Sequence, residues 1–389
     1  MEQNSRHSRI ISFIKSQFPN QDFIPLHEPR FIGNEKKYVA DAIDSTFVSS
    51  VGAYVNRFEE MMQEITGANY AIATVNGTAA LHMALIVAGV KQGEEVLAQD
   101  LTFIATANAI SYIGAIPVFL DIDRKTLGLS AEKLEAFLLK YGRNENGVTI
   151  NTKTGNRIAA CVPMHTFGFP CEIDRIAAIC ENWNIALVED AAESLGSYYK
   201  GKHTGNFGLL GTFSFNGNKT VTCGGGGAIV TDDERIAKLA KHLTTQAKMP
   251  HAWEFNHDHI GYNYRMPNLN AALACAQLEQ LGAFVENKRA LAESYKNFFE
   301  GIEGVEFVSE EPDAKANYWL NALLLEDKEA REAFLADLNG NGVMTRPVWT
   351  LMHKLPMFQN CLHDDLTVSK WVEERLVNIP SSVRISREF

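Results

Sequence analysis

Three short stretches of the chain combine residue types suited to one kind of chemistry. The first is "SFNGNKTVTCGGGG", residues 214–227, where a single lysine, Lys219, lies between a small polar run and four consecutive glycines. An amine with so little bulk around it is either a solvated turn residue or a nucleophile that a reagent can approach. It is not a phosphate-binding P-loop lysine, because Asn218 stands where that motif needs glycine. The second stretch is "VNGTAALH", residues 75–82, which reads as a strand end, an Asn-Gly turn and a helix start. Gly77 would let an anion approach the free N–H groups and positive end of that helix. A plain cap by Asn76 or Thr78 is the competing reading. The third stretch is "LVEDAAES", residues 187–194. Side chains alternate across a strand, so Glu189 and Asp190 face opposite ways and only one of them meets a ligand at this edge. The competing reading is a carboxylate that caps a neighbouring helix.

Taken jointly, the pieces offer an amine, a carboxylate, helix N–H groups and the hydroxyl of Ser214, five residues before Lys219. Pyridoxal 5'-phosphate presents the matching partners: an aldehyde, a pyridine nitrogen and a phosphate. A carboxylate beside the ring nitrogen favours its protonated form.

The elements that would position these groups follow from the hydrophobic pattern. "YAIATV", "EEVLAQ", "IPVFLDI", "RIAACVPMH", "IALVED", "GTFSF" and "GAIVTDD" are short apolar runs, most of them separated by amphipathic stretches such as "SAEKLEAFLLKYG" and "EIDRIAAICENWN". Such alternation predicts an α/β fold with a mainly parallel seven-stranded sheet covered by helices on both faces. Ligands then collect beyond the carboxyl ends of the strands. The stretch "LNAALACAQLEQLGAFVENKRALAESYKNFFEGI" reads as one long helical region. After it, "YWLNALLL" and "KEAREAFLADLNG" predict a smaller α+β unit. The expected division is an N-terminal segment 1–30, a large domain 31–285 and a small C-terminal α+β domain 286–389.

Bulk properties narrow the partners. The 389 residues carry a formal net charge of −11, which argues against a nucleic-acid or anionic-membrane surface. The six cysteines include no C-x-x-C pair and suit reduced thiols of a cytoplasmic protein rather than disulfides or a zinc site. "HDH" at 257–259 with His251 raises a metal reading, set aside here for a surface or substrate-loop role. The N-terminus resembles neither a signal peptide nor a membrane span.

The motifs "NGTAALH", "TFIATANAI", "VEDAAESLGS", "SFNGNK" and "GYNYRMPNLNAAL" resemble the DegT-type nucleotide-sugar aminotransferases, and the likeness runs over nearly the whole chain. The resemblance implies pyridoxal-phosphate-dependent transferase fold type I and a ping-pong transfer of an amino group from glutamate, released as 2-oxoglutarate. It implies Lys219 as the lysine bonded to the cofactor, Asp190 at the ring nitrogen and Glu193 near the phenolic oxygen. Thr78, Ala79 and Ser214 would hold the phosphate, and Phe103 would stack on the ring. Asn263 of one subunit would reach the other subunit's phosphate, which implies a homodimer with shared sites. "FVSSVGAYVNRFEE" and "TRPVWTLMHKLPMF" look most like the branch that aminates UDP-linked 4-keto-6-deoxy-N-acetylhexosamines for surface polysaccharides. His165, Arg265, Arg346, Trp349 and His353 are candidates for substrate contact, with Lys36 and Arg57 as further candidate cations. A pyridoxal-phosphate lyase or dehydratase of the same fold, and a non-catalytic sensor, are the alternatives. The dehydratase relatives carry histidine in place of the lysine, so Lys219 counts against that branch, and retention of both Lys219 and Asp190 counts against the sensor.

Overall fold

The computed structural model describes residues 2–385. Its centre is a sheet of short, buried strands: β1 (Tyr70–Thr74), β2 (Glu95–Gln99), β3 (Ile116–Leu120), β4 (Arg157–Val162), β5 (Ala186–Asp190), β6 (Leu210–Ser214) and β7 (Gly227–Thr231). They run in the order β1-β7-β6-β5-β4-β2-β3. Strands β6, β5, β4, β2 and β3 are mutually parallel, and β7 is antiparallel to both its neighbours. This is the mainly parallel, helix-covered sheet that continuous apolar runs demand, because both faces must be buried. On one face a cluster includes Ile72, Leu85, Val96 and Val188, and on the other face a cluster includes Leu97, Leu120, Leu134 and Ile176. A hairpin, Gly142–Glu145 with Val148–Asn151, extends the sheet beside β4. Its polar sequence, "GRNENGVTIN", gave no strand signal.

The long helical region is two helices, Asn268–Leu278 and Leu281–Phe299. Neither Pro nor a positive φ marks the break. The side chains around it are claimed from outside: Glu279 accepts from Asn34 (2.8 Å) and from the Tyr38 hydroxyl (2.6 Å), and Gln277 donates to Arg30 O and Glu35, both at 2.7 Å. Tertiary contacts with the helix Glu35–Asp44 thus bend a run that propensity alone would continue.

The C-terminal unit holds an antiparallel sheet of Val305–Phe307, Asn321–Leu325, Leu376–Ile379 and Arg346–Pro347, with the helix Lys328–Gly340 packed on it. The N-terminal helix Glu2–Gln17 does not stand apart. Ile10, Ile14 and Phe18 pack with Tyr295, Phe334, Val343 and Val377 in this unit's core. The division expected at residue 285 falls inside the helix Leu281–Phe299, which gives Phe284 and Val285 to one core and Tyr295 and Phe299 to the other.

Candidate active site

The carboxyl ends of β5 and β6, the turn after β1 and the turn after β2 meet around one cavity of about 220 Å³. Gly77, Thr78, Phe103, Asp190, Glu193, Ser214 and Lys219 all line it. Gly77 opens the helix Gly77–Val87, which points its first turn at the cavity. A Cβ at residue 77 would stand 2.7 Å from that of Ser214, so only glycine lets the helix start so close to the β6 end. Asn76 caps this helix by accepting from the N–H of Ala79 at 2.7 Å. Ala79 is therefore absent from the lining, and its donor is already occupied. The glycine run after Lys219 has two jobs. Gly224 takes φ +79°, and a Cβ at Gly227 would lie 2.4 Å from the carbonyl of Asn76. The run shapes the turn into β7 and seats it on the Asn76–Gly77 turn.

Asp190 is 5% exposed. Its Oδ2 accepts from the Thr106 hydroxyl (2.8 Å) and its Oδ1 from the N–H of Ala192 (3.2 Å). Burial pushes its carboxyl up, opposed by those two donors and by the Lys219 charge. Glu193 is nearly sealed; its Oε2 accepts from the N–H of Phe167 (2.8 Å) and its Oε1 lies 3.5 Å from Lys219 Nζ. Burial drives Glu193 up to about 7, against the pull of Lys219 and the Phe167 N–H. Two buried acids thus share one ammonium. A cationic ring nitrogen beside Asp190 would correct that shortfall, and the amine, hydroxyls and helix start supply the remaining contacts, so the residues fit pyridoxal phosphate.

Glu189, one residue earlier on β5, faces away and organises a loop by accepting from the N–H groups of Gly205 (2.8 Å), Phe207 (2.5 Å) and Gly208 (2.8 Å). It also takes His165, which is not a pocket residue. Cys171 N–H donates to His165 Nδ1 (3.2 Å), so the proton sits on Nε2 and points to Glu189 Oε2 (3.0 Å), with the ring fully buried. Arg265 is likewise committed elsewhere, to Glu59 at 2.6 Å in a buried pair. Arg346 is exposed and donates to Thr345 O (2.9 Å) and Asn339 (3.3 Å), and Arg57 pairs with Glu64 (3.0 Å) along its helix. Lys36 is exposed on the helix Glu35–Asp44. None of these cations lines the cavity. Trp349 is outside the lining and packs behind it, its ring 6.0 Å from Phe103 and 5.2 Å from Phe167. His353 Nδ1 meets the fully buried Asp100 at 2.6 Å, and its N–H meets the same carboxylate at 2.8 Å.

Asn263 is exposed, on a segment bridged to Thr245, and lies outside the cavity lining of its own chain. Among the described residues His242, Asp258 and His259 form a cluster with metal-capable atoms within 4.8 Å. Both imidazoles meet Asp258 Oδ1, at 2.6 and 3.0 Å. The reading from residue types missed Thr106, which lies in the quoted "TFIATANAI" and fixes Asp190, and it missed Trp319, whose ring lies under Lys219. Nothing local signals Trp319, since it reaches the site from the C-terminal unit.

The fold and cavity define a pyridoxal-phosphate-dependent aminotransferase of fold type I. The sequence profile of the DegT/DnrJ/EryC1/StrS aminotransferase family matches residues 29–389, and the chain belongs to that family. It is 37% identical over 366 residues to the GDP-perosamine synthase of Escherichia coli O157:H7, covering 94% of this chain and 95% of the relative. It is 36% identical over 369 residues to the putative pyridoxal phosphate-dependent aminotransferase EpsN of Bacillus subtilis, covering 94% and 92%. Among solved structures, the aminotransferase TlmJ of Streptoalloteichus hindustanus superposes with a TM-score of 0.85 at 25% identity, covering 94% of this chain and 95% of that one. No described helix is long and apolar enough to cross a membrane.

Proposed function

We propose that this aminotransferase moves an amino group from glutamate to the C4 keto carbon of a nucleotide-linked 4-keto-6-deoxy sugar. The observation that carries the reading is the convergence of the Lys219 amine, the buried Asp190 carboxylate and the N-terminus of the helix Gly77–Val87 on one cavity. Pyridoxal phosphate, when bound, supplies the electron-withdrawing heterocycle that lets a proton leave the donor carbon. Asp190, held by Thr106 and the Ala192 N–H, keeps negative charge at the cavity floor. Thr78, Ser214 and the helix N-terminus would hold the phosphate, and Phe103 would lie against the ring. Lys219 would be the amine that bonds the cofactor and, when free, the base that moves the proton of the donor.

The motifs near residues 47–60 and 345–358 favour a UDP-linked N-acetylhexosamine. The relative from Escherichia coli is named for a GDP-linked sugar, and its similarity over nearly the whole chain supports a GDP-linked acceptor instead. Asn263 as the partner subunit's phosphate contact, and hence a homodimer, draws support from its exposure. The loop before it presents Trp253 (78% exposed), Phe255 (76%) and Ile260 (86%), an apolar surface suited to a second copy. The test is incubation with GDP-, UDP- and dTDP-linked 4-ketosugars plus glutamate, with products read by NMR. Amination of a GDP-linked sugar is expected. Turnover of the UDP-linked N-acetyl sugar alone would restore the first reading, and no amination of any would refute the proposal.

A further inference from the structure

Two residues of the C-terminal unit grip the catalytic segment from both sides. Trp319 Nε1–H donates to the carbonyl of Asn218, the residue before Lys219, at 2.6 Å. The Asn317 amide reaches the hydroxyl of Thr220, the residue after it, at 3.4 Å, and donates to the carbonyls of Glu193 and Leu195, each at 2.9 Å. Asn317 is itself fixed, since its Oδ1 accepts from the N–H of Trp319 (2.7 Å) and its own N–H donates to Ser197 Oγ (2.9 Å). A Cβ at Gly168 would stand 1.9 Å from that Oδ1, so the glycine makes room for the clamp. Beneath it, the fully buried Lys288 donates to the carbonyl of Trp319 (3.2 Å) and to that of Ser381. Burial without a carboxylate partner pulls the Lys288 amine down to about 7.

An indole anchored at its ring nitrogen, backbone N–H and carbonyl has little freedom to turn. Its face is presented to Lys219, whose Nζ lies 3.8 Å from the ring centroid while 3.5 Å from Glu193. A ring face attracts an ammonium without consuming its hydrogen-bond donors. A lysine that must bond a cofactor, let go, and then move a proton needs a defined place for its flexible stem when it is not bonded. We propose that the Trp319 ring is the resting place of the Lys219 amine during the part of the reaction in which it is free, and that Asn317 and Trp319 are positioning residues that aim it. The proposal rests on Lys219 being the cofactor lysine.

The test compares Trp319→Phe, which keeps an aromatic face, with Trp319→Met, which fills part of the space without one. Two rates are read for each. One is the capture of added pyridoxal phosphate on Lys219, trapped by borohydride and located by peptide mapping. The other is the half-reaction of the loaded enzyme with glutamate and with α-deuterated glutamate. Trp319→Met is expected to capture at least as fast as the parent, yet to react with glutamate about tenfold more slowly and with a larger deuterium effect. Trp319→Phe keeps a ring face but loses the N–H bond to Asn218, and is expected to react with glutamate at a rate between those of the parent and Trp319→Met. A structural defect would slow both rates together. The proposal is overturned if the two rates fall in step, if Phe and Met behave alike, or if Met reacts with glutamate at the parent rate. A trapped adduct that maps elsewhere in the parent enzyme would instead remove the assignment of Lys219.

Discussion

The strand-end wall of the cavity and the cations sought around it put their polar side chains to different uses. On the wall, Asp190, Ser214, Thr78 and Lys219 come from short strands and the turns beside them, and all face one small space. Among the candidate cations, Arg265 is tied to Glu59 and Arg57 to Glu64, while Arg346 serves its own neighbours. His165 and His353 are similarly held, by Glu189 and Asp100. Parallel-sheet geometry fixes where strand ends point, so a motif there carries its orientation with it. An isolated positive residue carries none, and its neighbours elsewhere in the chain decide whether it is free.

The sharpest way to break this contrast is Lys219→Ala. Turnover is expected to fall by at least about 10³-fold with an unchanged circular dichroism spectrum, because alanine has no amine to bond the cofactor. Substantial residual turnover would mean that the wall is not the reaction centre.

The second change acts on the other side. Arg265→Met leaves Glu59 inside the protein with Ala73 N–H and Lys241 as its remaining partners. Removing one member of a buried pair costs roughly 3 kcal/mol, so the urea midpoint should drop while the KM for the sugar nucleotide stays within about twofold. A large rise in KM with unchanged stability would make Arg265 a substrate residue after all.

A comparable effect, expressed through pH, is expected within the wall. The Glu193 carboxyl stands at about 7 in the fold against 4.5 for the free side chain. Between those values the folded apoenzyme binds more protons than the unfolded chain, so its stability falls as pH rises from about 4.5 to 7. The shift corresponds to about 3 kcal/mol, and Asp190, also pushed up, acts in the same direction. Glu193→Gln should flatten that decline in apoenzyme melting curves. An unaltered slope would show that Glu193 titrates as an ordinary surface acid.

The strand-end wall was legible because residue type, spacing and element coincide there. Strand alternation in "LVEDAAES" narrows the ligand-facing carboxylate to one of Glu189 and Asp190, the motif resemblance picks Asp190, and "VNGTAALH" signals a helix start through its turn. The bend at Glu279–Gln280 and the polar hairpin after Tyr141 were not legible, since distant partners and not local pattern produce them. Trp319 and Asn317 were hidden for the same reason, as they reach Lys219 across about 100 positions of sequence. Ala79 shows the reverse case, where a motif places a donor correctly but its own cap, Asn76, takes it.

The smallest expected effect tests the proposed homodimer. Asn263→Ala should weaken cofactor retention by about tenfold in the neighbouring site. Mixed dimers of Lys219→Ala and Asn263→Ala chains would then hold one site with both defects and one with neither. Half the parental activity is expected, whereas low activity tracking each chain's own defect would rule out sharing.

The most direct measurement is mass spectrometry of the holoenzyme after borohydride reduction and digestion. A pyridoxyl group on the peptide that contains Lys219, and its loss in Lys219→Ala, is the predicted result. A pyridoxyl group on Lys288 or any other lysine, with position 219 unmodified, would contradict the account.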